Sequence, residues 1–328
     1  MGLIDSAIDA FRFKETIFSK ENSDLQLKYD ALNKLNIEYP NNEELQSELY
    51  IVKKGLEGEN EIAYQLKKSN IGMYVLRDVK LKYEDLKAQI DYVIITPIFT
   101  YYVECKNLVG NITVTDKGDF IREFTISGKK IKKGMYSPLR QVEAQREVVR
   151  KVWESNSSTI KKIFASKNFD YYRRVLVVAA NQDTILNTNK APKDMKYKIL
   201  RADSLIRQIE YDLAHRDSKD YIETKKSMEE IAQAYLDLSL KEDIDYYNYY
   251  KEKYCSSYND DIIREKLTEL RRKRSAEMNI PAYYIFTNDE LEQLIKLKPK
   301  TLDDLKNNNI LSSIKVKTHG EKIIEMFK

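Results

Sequence analysis

The sequence predicts an α/β domain followed by a small all-α domain. The first prediction rests on three strand-like segments, at 74–81, 89–96 and 101–108, with a helical pattern before them and another after them. The second rests on the chain from Asn259 onward, where the pattern is helical throughout. Strands and helices mixed in this order are typical of a layered α/β or α+β domain.

Four segments are predicted along the chain. They are a helical extension over 1–42, the α/β domain over 43–215, a helical and tyrosine-rich linker over 216–258, and the helical domain over 259–328. The elements expected inside the α/β domain are a helix over 43–68, strands over 74–81, 89–96, 101–108, 111–115 and 120–126, a helix from Ser137-Pro138 to about Trp153, a strand over 174–180, and a helix from Asp203.

The composition is that of an ordinary globular protein. The 328 residues are 42% hydrophobic and 33% charged, and the net charge is +4. A nucleic-acid partner must therefore be held by a local basic surface. Cys105 and Cys255 lack metal-ligand spacing, and no apolar run reaches transmembrane length. We therefore expect a cytoplasmic protein without disulfides or a membrane partner.

Two carboxylates and a lysine interrupt strands that are otherwise apolar. Glu104 and Lys106 are two residues apart, so they share one face of a strand. Asp91 lies on the preceding strand, and a turn over 96–100 brings it beside Glu104. Carboxylates suit Mg²⁺ or Mn²⁺, which activates water, and a lysine can stabilise the charge that develops during phosphodiester hydrolysis. Alone, this pattern also fits a structural salt bridge.

Four blocks of sequence favour a metal site over a structural salt bridge. They are Gly55-Leu56-Glu57-Gly58-Glu59, Gln89-Ile90-Asp91, Glu104-Cys105-Lys106-Asn107 with Gly110, and Pro138-Leu139-Arg140-Gln141. Together they resemble the nuclease-related domain, NERD, of the PD-(D/E)XK nucleases, over about residues 50–215. The resemblance implies a restriction-endonuclease-like mixed sheet flanked by helices. It also implies that Asp91 and Glu104 hold the metal and that Lys106 is the catalytic lysine.

The same resemblance adds two residues to the site. Glu59 is implied as a further acidic residue and metal ligand on the first helix, and Gln141 as a polar residue on the later helix. Helical spacing puts Glu59 on the side of Leu56 and Ala63, which faces inward. The alternatives are a buried salt bridge for Glu59 and a solvated helix face for Gln141. Cys105 is rejected as a nucleophile, because no triad-like pattern flanks either histidine of the chain.

The C-terminal segment resembles the HRDC domain of RecQ-type helicases and ribonuclease D. The most specific part of this resemblance is Asn279-Ile280-Pro281-Ala282-Tyr283-Tyr284-Ile285-Phe286. It implies an auxiliary role in binding nucleic acid or protein. The candidate nucleic-acid-binding residues are Arg271, Arg272, Lys273, Arg274, Lys315 and Lys317. A solvated charged helix is the alternative, since residues 259–328 mix both signs of charge.

Three functions compete. The first is a Mg²⁺- or Mn²⁺-dependent nuclease, acting on DNA rather than RNA, with the C-terminal domain binding nucleic acid. The second is a non-catalytic nucleic-acid-binding protein that keeps a nuclease-like fold. The third is an adaptor for a helicase or a phage-defence complex. The intact set of Asp91, Glu104 and Lys106 favours the first. The chain has no phosphate-binding loop of the helicase type.

Overall fold

A computed structural model describes residues 12–155 and 169–327, without side-chain detail at 256–259. The chain divides into two compact units. The first contains residues up to 30 together with 49–244, and the second contains 31–48 together with 245–328. Within the described ranges, no helix is long and apolar enough to cross a membrane.

Ten strands in the described residues form two sheets, both in the first unit. In chain order they are β1 (Thr16–Lys20), β2 (Met73–Tyr83), β3 (Leu86–Ile95), β4 (Thr100–Lys106), β5 (Asn111–Val114), β6 (Phe120–Ile126), β7 (Lys129–Met135), β8 (Arg173–Ala179), β9 (Leu186–Asn187) and β10 (Ile199–Arg201). The six-stranded sheet has the order β1-β2-β3-β4-β8-β10, and the four-stranded sheet has the order β7-β6-β5-β9. The larger sheet is mixed, because β3 is antiparallel to its neighbours β2 and β4, whereas β8 is parallel to β4.

The described helices occur in both units. In chain order they are α1 (Asp24–Glu38), α2 (Glu43–Lys67), α3 (Pro138–Ser155), α4 (Phe169–Tyr172), α5 (Lys193–Lys196), α6 (Leu205–Ala214), α7 (Lys225–Leu238), α8 (Tyr246–Tyr250), α9 (Ser256–Met278), α10 (Asn288–Leu297), α11 (Leu302–Asn307) and α12 (Ser313–Glu325). The predicted α/β domain followed by a helical region is confirmed.

Alternation along the central strands builds a core on each face of the six-stranded sheet. Val93 and Tyr102 belong to one core, which includes residues of α3 and α7. Tyr92 and Val103 belong to the other, which includes residues of α2 and α6. The sheet therefore lies between two helical layers, and α3 covers the face that carries Tyr102.

The N-terminal prediction was wrong at one element. Residues 16–20 form β1, an edge strand parallel to β2, where the sequence predicted a helical extension. Thr16 and Ile17 are β-branched, and such side chains fit a pleated strand better than a helix. The parallel partner begins at Met73, too far along the chain for a local pattern to reveal it.

The tyrosine-rich stretch is also more regular than predicted. It forms α8, a π-helical turn over Lys251–Cys255, and the start of α9. Tyr246 and Tyr250 are buried and lie four residues apart, so they share one helical face. Between them lie the half-buried Tyr247 and the exposed Tyr249, which hide this period in the sequence.

Candidate active site

Glu104 and Lys106 lie at the C-terminal end of β4, on the face covered by α3. The Lys106 Nζ donates to Glu104 Oε1 at 2.6 Å and to Gln141 Oε1 at 3.3 Å. Gln145, one turn further along α3, donates to Glu104 Oε2 at 3.4 Å. Glu104 is 3% exposed and the Lys106 side chain is 26% exposed, so the ammonium lies at the open edge of a buried carboxylate. The structure thus brings together three of the predicted residues, Glu104, Lys106 and Gln141.

Asp91 completes the predicted set on the neighbouring strand. Tyr92 pairs with Val103, and the next residues along the two strands are Asp91 and Glu104. The backbone N–H of Cys105 donates to Asp91 Oδ2 at 2.7 Å. Burial raises the pKa of Asp91 well above its usual range, and the Glu104 carboxylate raises it further. Two acidic groups therefore compete for one lysine, and a bound cation would relieve the repulsion.

The donor set fits a magnesium-type ion. Within the described part of the chain, no three histidine, cysteine, aspartate or glutamate side chains are grouped so as to hold a metal. The predicted ligands Asp91, Glu104 and Glu59 therefore do not form a group of three. Mg²⁺ is commonly held by one or two carboxylates, with water and substrate phosphate as the other ligands. Asp91 and Glu104 are a pair of that kind.

Asp78 is a residue of this region that the sequence analysis did not single out. It lies on β2 between two residues that pair with β3, Arg77 with Tyr92 and Val79 with Ile90. Its φ is 54°, which is rare for a residue other than glycine and costs free energy. Its buried carboxylate accepts from the Asp24 backbone and from the Gln89 side chain. The available signal was Arg77-Asp78, two charged residues inside an apolar strand.

Glu59 faces inward, as its spacing predicted, and it contacts a basic partner. Its side chain is 7% exposed, and Arg77 Nε lies 2.7 Å from its Oε2. The Tyr92 hydroxyl donates to the Glu59 backbone carbonyl, which places this part of α2 on the sheet face opposite Tyr102. Burial raises the pKa of Glu59, and Arg77 acts against that rise. This geometry is the salt-bridge alternative, although the Glu59 charge still acts on Asp91.

A glycine lets α2 approach the site closely. A Cβ added to Gly58 would lie 2.5 Å from Asn107 Cβ and 3.2 Å from Cys105 Sγ, so no larger residue fits without movement. The Asn107 side chain donates to the Lys54 carbonyl at 2.6 Å. These contacts hold the segment that directly follows Lys106 against α2.

The thiol and imidazole groups are poorly suited to catalysis here. Burial raises the pKa of Cys105 well above its usual range, which disfavours the nucleophilic thiolate. His215 stacks on Tyr211 at the surface, and His319 is buried in the second unit. This agrees with the rejection of Cys105 as a nucleophile.

The predicted nucleic-acid-binding cations of the second unit are mostly engaged within it. Arg272 and Lys273 both pair with Glu269, at 2.8 and 3.6 Å. The remaining contacts are Arg274 with Glu277, Lys315 with Glu290, and Arg271 with the Asn288 side chain. Lys317 is exposed. A phosphate would have to compete with these carboxylates for most of the cluster.

Comparison with models of protein families finds one match in each of two segments of the chain. Residues 54–179 match the nuclease-related domain, and residues 262–326 match the HRDC domain. The protein contains a NERD domain followed by an HRDC domain. No curated protein and no solved structure matches the chain. The NERD match contains Glu59, Asp91, Glu104, Lys106 and Gln141, and the HRDC match contains all six predicted nucleic-acid-binding cations.

Proposed function

We propose that the NERD domain is a metal-dependent nuclease that hydrolyses phosphodiester bonds in DNA. The observation that supports this most strongly is the arrangement of Asp91, Glu104 and Lys106. Two carboxylates from adjacent central strands lie together with a lysine that touches only one of them. A purely structural ion pair needs one carboxylate, so the second one points to a cation in the working enzyme.

In this proposal Asp91 and Glu104 hold Mg²⁺, or Mn²⁺ in its place. When bound, the ion supplies a polarised phosphate and an activated water. Lys106, at the edge of the site, then orients the water and stabilises the charge on the phosphate oxygens. Gln141 accepts a hydrogen bond from Lys106 and positions its ammonium. Glu59 acts one step away, through Arg77 and through its charge on Asp91.

The HRDC domain is proposed as an auxiliary nucleic-acid-binding module. The family match supports a role of this kind. Its ion-paired cations favour weak contacts, which assist a nuclease that is held to DNA mainly elsewhere. Recruitment of a helicase or a phage-defence complex through this domain is the alternative proposal.

The test is a cleavage assay on single-stranded and duplex DNA and RNA, with Mg²⁺, Mn²⁺ or EDTA. Wild-type protein should cut DNA with either metal and should not cut it in EDTA. Glu104→Gln should abolish cleavage, whereas Glu147→Gln, an exposed residue of α3, should leave it unchanged. Cleavage that persists in EDTA would exclude the metal mechanism. Binding without cleavage under every condition would instead support the non-catalytic protein.

A further inference from the structure

The NERD domain has a strongly basic β-hairpin that the sequence analysis did not single out. It consists of β6 and β7, residues 120–135, and is called the basic hairpin below. The cations are Arg122, Lys129, Lys130, Lys132 and Lys133, and the one acidic residue is Glu123. Five positive charges and one negative charge make a net charge of +4, which equals the net charge of the whole chain. The rest of the protein is therefore neutral overall.

The hairpin is exposed and carries cations on both faces. In the antiparallel register, Arg122 lies opposite Lys133 on one face, and Glu123 lies opposite Lys132 on the other. Side chains alternate along a strand, so Lys129 and Lys133 lie on one face and Lys130 and Lys132 on the other. All four lysines are exposed, and a Cβ added to Gly128 or Gly134 would meet nothing within 4 Å.

Few of these charges are neutralised by the protein itself. Within the described residues, Lys132 has an acidic partner in Glu123, at 2.7 Å, and the other three lysines have none. The cation cluster of the HRDC domain differs in this respect, because most of its members have carboxylate partners. Clustered lysines repel one another, so such a surface is best explained by an anionic partner.

The base of the hairpin lies at the candidate active site. The Arg122 side chain donates to the Val109 carbonyl at 2.9 Å, three residues after Lys106. A Cβ added to Gly110 would lie 2.3 Å from the Glu123 carbonyl oxygen, so the two segments are in close contact. The C-terminal end of β7, at Met135, lies three residues before the start of α3, the helix that carries Gln141. A polymer held along the hairpin would thus lie next to the segment that follows Lys106 and near the start of the helix that carries Gln141.

We infer that the basic hairpin enters a groove of duplex DNA and holds the phosphodiester backbone for the NERD site. The inference rests on the proposed function. A two-stranded ribbon fits the major groove of B-DNA, which is about 12 Å wide. Lysines on both faces can then reach the phosphates on both walls of the groove. Phosphate contacts carry no sequence information, so binding should be independent of sequence.

The experiment measures binding of the full chain to a labelled duplex in EDTA, where cleavage does not interfere. The test variant replaces Lys129, Lys130, Lys132 and Lys133 with Gln. Each lost phosphate contact should weaken binding about tenfold in ~0.1 M salt and reduce the salt slope by about one. The matched control replaces four other exposed lysines of the first unit, Lys82, Lys87, Lys219 and Lys226, and should bind nearly as tightly as wild type.

Two further variants test the groove geometry. One replaces Lys129 and Lys133 with Gln, and the other replaces Lys130 and Lys132 with Gln. Each variant therefore removes the lysines from one face of the hairpin. Insertion into a groove predicts similar losses from both. Docking of one face on a flat anionic surface predicts a loss from one variant alone, and that result would overturn the groove model.

Other outcomes separate this inference from the nuclease proposal. If the four-lysine variant binds duplex DNA like its control while wild type still cuts DNA with Mg²⁺, the hairpin inference fails and the nuclease proposal stands. If the four-lysine variant loses binding but neither it nor wild type cuts DNA with any metal, the hairpin inference stands and the nuclease proposal fails. Wild type that binds phosphatidylserine vesicles but not duplex DNA would also overturn the inference. If the melting temperatures of the variants equal that of wild type, a change in binding does not result from a change in folding.

Discussion

Replacing Glu59 with Gln should mainly cost stability. The substitution leaves Arg77 without its carboxylate in a site where both side chains are only 7% exposed. Removing one partner of a buried ion pair costs about 3–5 kcal/mol, because the other charge stays buried. The Arg77 Nη2 atom already lacks a hydrogen-bond partner within the described residues, so no second acceptor is at hand to replace Glu59.

For Glu59→Gln we expect a loss of stability at the low end of that range, about 3 kcal/mol. Burial raises the pKa of Glu59 despite Arg77, so the carboxylate charge is itself costly where it lies. Replacing it with a neutral amide recovers part of this cost, and a loss of about 3 kcal/mol is left. In a unit of this size that loss lowers the melting temperature by about 6–12 °C. Adding Arg77→Met should restore most of the loss, since it removes the buried charge that Glu59→Gln leaves unpaired.

Tryptophan fluorescence is a suitable assay. Trp153 is the one tryptophan of the chain, and it is buried in the first unit, so its signal reports unfolding of that unit. Glu57→Gln, at an exposed position of the same helix, is the control. An unchanged melting temperature for Glu59→Gln together with lost cleavage would refute this reasoning. It would instead support Glu59 as a metal ligand.

Three other predictions concern single contacts. Asp91→Asn should raise the melting temperature in EDTA, because it removes the repulsion with Glu104, and should abolish the rise that Mg²⁺ causes in wild type; a lower melting temperature in EDTA would contradict this. Gly58→Ala should destabilise the protein by about 1–3 kcal/mol and slow cleavage, whereas Gly134→Ala, with open space around it, should leave the stability unchanged. Thr301→Ala should cost about 1 kcal/mol in denaturant unfolding, because it removes a helix capping box, and an unchanged midpoint would exclude that contribution.

The central part of the fold was readable because its signals are local. The hairpin of β3 and β4 has a turn at Thr96-Pro97 between two apolar runs, and Ser137-Pro138 begins α3 with the Ser137 side chain accepting from a backbone N–H. The capping box at Thr301 is a local signal of the same kind, because its hydrogen bonds join Thr301 and Asp304. The strand β7 was missed because four of its seven residues are lysines, which hide any alternation. Its partner strand, not its own composition, makes it a strand.

The candidate site was readable to the same extent. Charged residues in apolar strands pointed to Asp91, Glu104 and Lys106, and the structure brings them together. The partner of Glu59 was not readable, because Arg77 is 18 residues away on another element and many cations were available. The local distortion at Asp78 was hidden as well, since a positive φ leaves no mark in the sequence unless the residue is glycine.

The strand that carries Glu104 and Lys106 lies inside its sheet, between β3 and β8, and bonds to both. Backbone amides in such a position exchange with solvent deuterium only when the whole unit opens. Those of the basic hairpin lie in the smaller sheet, and β7 is its edge strand, so they should exchange much earlier. If the basic hairpin holds DNA as proposed, the protein would therefore release DNA under mild denaturing conditions while Asp91 and Glu104 keep their positions. Loss of binding and loss of the catalytic geometry should be separate transitions.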